Sequence, residues 1–130
     1  MLRAYIRQAA YKPIPMELED KIAQPWLEGQ GGKQGQAGFF AQIVQCQEKH
    51  AEEIIGRYGE VAQDMPVKII WGKEDDLIPV DRAEKLAVAV GAKEVVLIEE
   101  AGHLVMLDQK EQLGVELSKW LFGTALQPRD

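Results

Sequence analysis

Apolar residues change their spacing near Pro66. Before that point they recur at three- and four-residue steps, as on amphipathic helices; after it, short β-branched runs alternate with helical stretches. Leu2–Tyr11 and Met16–Ala23 read as two helical pieces split by Pro13 and Pro15. Pro25 is expected to end the second, because the residue before a proline avoids helical backbone. Glu28–Gly38, rich in glycine and glutamine, reads as a flexible connector. It has neither the preceding strand nor the Gly-Lys-Ser/Thr ending of a phosphate-binding loop. Phe39–Tyr58 carries the longest helical pattern. Phe40, Ile43, Val44, Ala51, Ile54 and Ile55 share one face, expected in the core, and Glu48, Lys49, Glu52 and Glu53 share the other.

From Pro66 the pattern becomes strand, helix, strand, helix. Val67–Trp71 is apolar apart from Lys68, as in a strand covered on both faces. A turn through Gly72–Ile78 leads to Asp81 and Glu84, spaced like a capping box. Ala83, Leu86, Ala87 and Val90 then mark a helix that Gly91 closes. Glu94–Ile98 is a second buried strand, followed by the turn Glu99–His103. Asp108 and Glu111 form another cap-like pair ahead of a last helix on Leu113, Leu117, Trp120 and Leu121, ended by Gly123, with 124–130 a loose tail. A right-handed crossover makes the two strands parallel neighbours, so the fold class is α/β.

Composition narrows the function classes. The 130 residues make one domain or part of one, with a net charge of −6 and no basic stripe, which excludes a nucleic-acid partner. No apolar run approaches the ~18–20 residues that span a bilayer, so no membrane partner is expected. Leu2–Arg7 is too broken a pattern for a signal peptide. The lone Cys46 reads as a small buried hydrophobe and rules out an internal disulfide, which points to a cytoplasmic chain. His50 is expected on a solvent-facing helix surface. One Cys and two His give no zinc spacing, and no Gly-x-Gly-x-x-Gly follows either strand, so no metal or cofactor is expected.

Ligands of such sheets bind outside the carboxyl ends of the strands. The first turn there holds Glu74, Asp75 and Asp76, and the second holds His103. Parallel neighbours lie about 5 Å apart, so a carboxylate and an imidazole share one end of the sheet. A carboxylate on one ring nitrogen fixes the tautomer and leaves the other to accept a nucleophile's proton.

Trp71-Gly-x-x-Asp75-x-x-Ile-Pro79 followed by Ala101-Gly-His103-Leu-Val-Met-Leu-Asp108 resembles the acid turn and histidine turn of the α/β-hydrolase superfamily, over about Pro66–Leu121. The resemblance implies a partial α/β-hydrolase fold: two parallel strands with flanking helices, plus an N-terminal helical cap remnant. It implies that residues 1–38 are this remnant and 39–130 the C-terminal part of the core. It makes Asp75 the acid, with Asp76 second, and His103 the general base. Leu77, Ile78 and Leu104 would wall the pocket, and Trp26, Phe39 and Phe40 favour an apolar cap pocket for a small apolar substrate. Lys110 departs from the proline that commonly opens the family's last helix. The larger departure is the nucleophile: the only serine, Ser118, lies in the last helix without the flanking glycines of Gly-x-Ser-x-Gly. The expectation is therefore a hydrolase portion, silent alone. Ester, carbon–carbon, epoxide and carbon–halogen hydrolysis all stay open. The bare edge of the Val67–Trp71 strand is expected to self-associate or to pair with the missing part. The alternative is a non-enzymatic α/β interaction or binding module that keeps the turns for structure.

Overall fold

The computed structural model describes residues 2–28, 32–45 and 48–125. Their elements are α1 (Leu2–Ala9), α2 (Met16–Leu27), α3 (Gly32–Gln45), α4 (Glu48–Ile55), α5 (Tyr58–Asp64), β1 (Ile69–Gly72), α6 (Asp81–Val90), β2 (Val95–Ile98), α7 (Val105–Asp108) and α8 (Lys110–Ala125). β1 and β2 are parallel neighbours, with Ile69 opposite Val95 and Gly72 opposite Ile98. The chain is thus an α/β fold of two parallel strands with flanking helices, as the alternating pattern after Pro66 predicts.

Among the described residues two small cores hold it together. In one, Ile69 packs on Ala83 and Ala87 of α6, with Trp71, Leu86, Val90 and Val95 around them. The alanines let the helix lie close to the sheet. In the other, Leu2, Ile6 and Ala23 join α1 to α2, and Ile22, Phe39 and Leu104 close over them. Lys68 ties the run-in of β1 to α8 through Glu116 (Nζ–Oε2 3.1 Å).

Several expectations are corrected. Pro25 lies inside α2 rather than ending it. So near the helix end it removes one N–H donor, and Glu28 N–H still reaches Gln24 C=O at 3.1 Å. The glycine- and glutamine-rich stretch is helical from Gly32. Gly35 faces α2, where a Cβ would already touch the Trp26 ring at 3.5 Å, so small residues allow this packing. Within Phe39–Tyr58 the described residues are helical to Gln45 in α3 and over Glu48–Ile55 in α4, a turn at Gly56 and Arg57 follows, and Tyr58 opens α5; Cys46 lies outside the described residues. Its apolar face is not core: Ile43, Val44, Ile54 and Ile55 are exposed, since no described element covers them. His50 is exposed, 3.8 Å from Glu53.

The strands are not fully covered either. Ile70 and Trp71 are half-buried and Leu97 is exposed, and among the described residues each strand has one neighbour only. At α6 the cap position is Val80, without a side-chain bond, and Asp81 instead pairs with Lys85 at 2.6 Å. Gly91 ends that helix with φ 70°, as read. α8 runs through Gly123 to Ala125, and Leu117, Leu121 and Phe122 are exposed on it.

α1 and α2 are joined by a buried acid. Glu19, 2% exposed, accepts from Arg7 (Nε 2.6 Å, Nη2 3.0 Å) and from Arg3 (Nη1 3.0 Å). Buried carboxylates persist when paired in this way. The bonds from Arg7, then Arg3, hold the Glu19 carboxyl below its ordinary value of 4.5. A carboxyl lowered on folding stabilises the fold above its unfolded value, and that contribution is lost as pH falls through the folded one. In urea unfolding, wild type is expected to exceed Glu19→Gln in stability at pH 7, with the gap shrinking once pH falls below 4.5. An equal gap at pH 7 and pH 3 would contradict this.

Candidate active site

Because Gly72 faces Ile98, the two turns leave the sheet side by side. They are bonded to each other. Lys73 N–H donates to Ile98 C=O (2.9 Å), Glu74 N–H donates to Ala101 C=O (3.0 Å), and Ala101 N–H donates to Glu74 Oε2 (3.1 Å). A Cβ on Gly72 would overlap the carbonyl oxygens of Ala101 and Gly102. This close approach is the physical reason for glycine four residues ahead of the Asp76 end of the acid cluster. The backbone of Glu100 takes the second turn through φ 53° before Ala101 and Gly102, both buried.

The three acids of the first turn have separate fates. Glu74 braces the second turn, and Asp76 is exposed. The Asp75 side chain is 2% exposed. Its Oδ1 accepts from Leu77 N–H (3.0 Å) and Ile78 N–H (2.9 Å), and its Oδ2 lies 2.9 Å from His103 Nδ1. One oxygen is therefore held by the turn itself, and the other is aimed at the imidazole. Trp71 Nε1 donates to Ile78 C=O (3.2 Å), fixing the far end of the turn. A carboxylate only accepts, so Nδ1 is the donor of the neutral ring and Nε2 its acceptor. Among the described residues Nε2 has no hydrogen-bond partner.

The His103 side chain, 36% exposed, borders a cavity of about 460 Å³. α1 contributes Leu2, Tyr5, Ile6 and Ala9 to the wall; α2 contributes Ile22 and Trp26; α3 contributes Phe39; Leu104, Met106 and Leu107 complete it. Phe39 sits among aromatic rings, with centroids 5.8 Å from Tyr5, 5.9 Å from Trp26 and 5.3 Å from Phe40.

The structure thus brings Asp75, His103, Trp26, Phe39 and Leu104 to one place. Phe40 lies behind Phe39 rather than on the cavity wall. Leu77 and Ile78 serve the acid through their backbone and do not line the cavity. Sequence reading missed the α1 wall, although Leu2, Ile6 and Ala9 follow a helical face that points to it. It also missed Asp108. This carboxylate does not cap α8. It is buried and accepts from Gly102 N–H (2.9 Å), Tyr11 N–H (2.9 Å) and Lys12 N–H (2.8 Å). No local pattern signals partners 96 and 97 positions away.

Among the described residues no helix is long and apolar enough to cross a membrane, and no group of His, Cys, Asp and Glu is placed to hold a metal ion.

No family model matches the chain. Over 45 residues it is 38% identical to the monoacylglycerol lipase ABHD6 of Bos taurus, a stretch that is 35% of this chain and 13% of that lipase. In structure it resembles an α/β hydrolase fold protein from Burkholderia ambifaria: TM-score 0.75, 32% identity, over 89% of this chain and 41% of that one. It also resembles 2-hydroxy-6-oxo-6-phenylhexa-2,4-dienoate hydrolase (BphD) from Rhodococcus sp. strain RHA1, with a TM-score of 0.69 over 92% of this chain and 43% of that enzyme. At 17% identity the latter likeness is one of fold alone. The chain therefore spans about two fifths of the length of these solved relatives and a smaller part of the lipase. By fold and by sequence likeness, the chain belongs to the α/β-hydrolase superfamily and represents part of its fold.

Proposed function

We propose that this chain is the acid- and base-bearing portion of a hydrolase for carboxylic esters with one apolar acyl chain. The observation that carries the reading is the 2.9 Å contact between a buried, doubly anchored carboxylate and an imidazole that borders an apolar cavity. The likeness to a monoacylglycerol lipase supports an acyl ester over the other reactions that the turns allow.

In this reading Asp75 orients His103 and stabilises the imidazolium. Nε2 takes the hydroxyl proton of a serine nucleophile as that oxygen attacks the ester carbonyl. The same proton then passes to the departing alcohol. Water repeats the cycle on the acyl-enzyme, giving its hydroxyl to the acyl carbon and a proton to Nε2, which returns it to the serine. The nucleophile and the donors for the carbonyl oxygen come from outside these 130 residues. Donors of that kind supply a large share of the rate.

The first test concerns orientation. In Asp75→Asn the amide oxygen can keep the bonds from Leu77 and Ile78, which turns an NH2 group toward Nδ1. Nitrogen NMR of His103 is expected to show the proton moved from Nδ1 to Nε2. An unchanged tautomer would remove the orienting role.

The second test concerns activity. The 130-residue chain is expected to leave p-nitrophenyl butyrate unhydrolysed. Fused to the part of a full-length α/β hydrolase that carries a serine nucleophile, it is expected to turn the ester over, with a loss of about 10⁶-fold on His103→Ala. Turnover by either form that survives His103→Ala would contradict the assignment.

A further inference from the structure

We propose that Asp108 is a positioning residue for His103, fastening the histidine turn to the segment after α1 and so setting where the imidazole meets Asp75. The proposal rests on the reading of Asp75 and His103 as an acid–base pair and extends it to a third carboxylate.

Among the described residues His103 has a single side-chain bond, from Nδ1 to Asp75. The backbone around it is held separately, on both sides. Before it, Gly102 N–H donates to Asp108 Oδ2 at 2.9 Å. After it, Leu104 N–H donates to Ala9 C=O at 3.0 Å. The same Asp108 oxygen accepts from Tyr11 N–H, and the other oxygen accepts from Lys12 N–H. One buried carboxylate therefore bridges the turn that bears the base and a segment from the opposite end of the chain.

α7 explains how Asp108 reaches this place. Leu107 N–H and Asp108 N–H both return to Leu104 C=O (2.8 and 3.1 Å), a single helical turn that folds Asp108 back beneath Gly102. The interface leaves no slack. A Cβ on Gly102 would come within 3.0 Å of both Ala9 O and Tyr11 N. Ala9 also borders the cavity, so the fastening sets one wall of the cavity and the base together. Without the carboxylate, three N–H groups lose their acceptor; the turn keeps its bonds to the acid turn at Ala101, but of its backbone bonds to the α1 end only Leu104–Ala9 remains. The imidazole then samples positions away from Asp75, and its bond weakens even though neither partner has changed.

With two histidines in the sequence, nitrogen-15 labelling of histidine gives a spectrum simple enough to read His103 directly in the full chain. Wild type is expected to show a hydrogen-bonded Nδ1–H signal for His103. Asp108→Ala is expected to lose it. Asp108→Asn, which keeps one accepting oxygen, is expected to lose part of it, with the methyl signals of Ile69 and Ile98 still dispersed in both. Glu100→Gln, which alters the nearby exposed contacts to Lys12 and Gln109, is expected to leave the signal unchanged. Folded Asp108 variants with a wild-type Nδ1–H signal would overturn the proposal alone. So would unfolding of both variants, which would make Asp108 a general structural acid. Absence of the signal in wild type would instead overturn the acid–base reading beneath it, and the proposal with it.

Discussion

Everything at the Asp75–His103 end of this protein depends on two strands ending at the same level. With Gly72 opposite Ile98, the turns that follow emerge as neighbours, and their backbones bond to each other before any side chain is considered. The contact is so close that Gly72 cannot carry a side chain. Only within this frame does a carboxylate three positions past one strand meet an imidazole five positions past the other. A shift of one residue in the pairing would move every side chain of a strand to the opposite face and separate them. Sheet register is thus the constraint beneath the 2.9 Å contact.

A second frame is built at right angles to the sequence order. α1 and α2 are locked by Glu19 with Arg3 and Arg7, and α1 carries the wall of the cavity as well as the carbonyl that receives Leu104 N–H. A buried ion pair that loses one partner costs about 3–5 kcal/mol in general, so such groups hold geometry more than they add stability. In this protein the geometry they hold is the aromatic side of the cavity, where Phe39 meets Tyr5 edge to face and Trp26 at a tilt. The acid–imidazole pair is then bordered by apolar surface on the side where an acyl chain would lie.

What was legible in the sequence followed from local pattern. The order strand, helix, strand, helix comes from period and punctuation within some ten residues at a time. The meeting of Asp75 with His103 follows from that order, because parallel strands place successive turns at one end. Pairing over longer distances was not legible. Asp108 has an acid's spacing before a helix, yet its partners are Tyr11 and Lys12, brought near only by the completed fold. Burial was misread for the same reason. Ile43, Val44, Ile54 and Ile55 have a core-like spacing, but spacing says nothing about whether another element covers the face. That α2 runs past Pro25 and that α3 runs through Gly35 goes with the packing of α3 on α2, against glycine and proline propensities worth about 1 and 3 kcal/mol.

The central claim is that the imidazole held by Asp75 faces a site for the ester end of an acyl chain. Isotope-filtered NMR of the full chain with a long-chain 1-monoacylglycerol tests it most directly. The account predicts contacts from the acyl methylenes to Trp26, Phe39 and Leu104, and from the glycerol ester end to the ring protons of His103. An ester that contacts only the exposed Leu121 and Phe122 of α8, or none of the cavity residues at saturation, would contradict it.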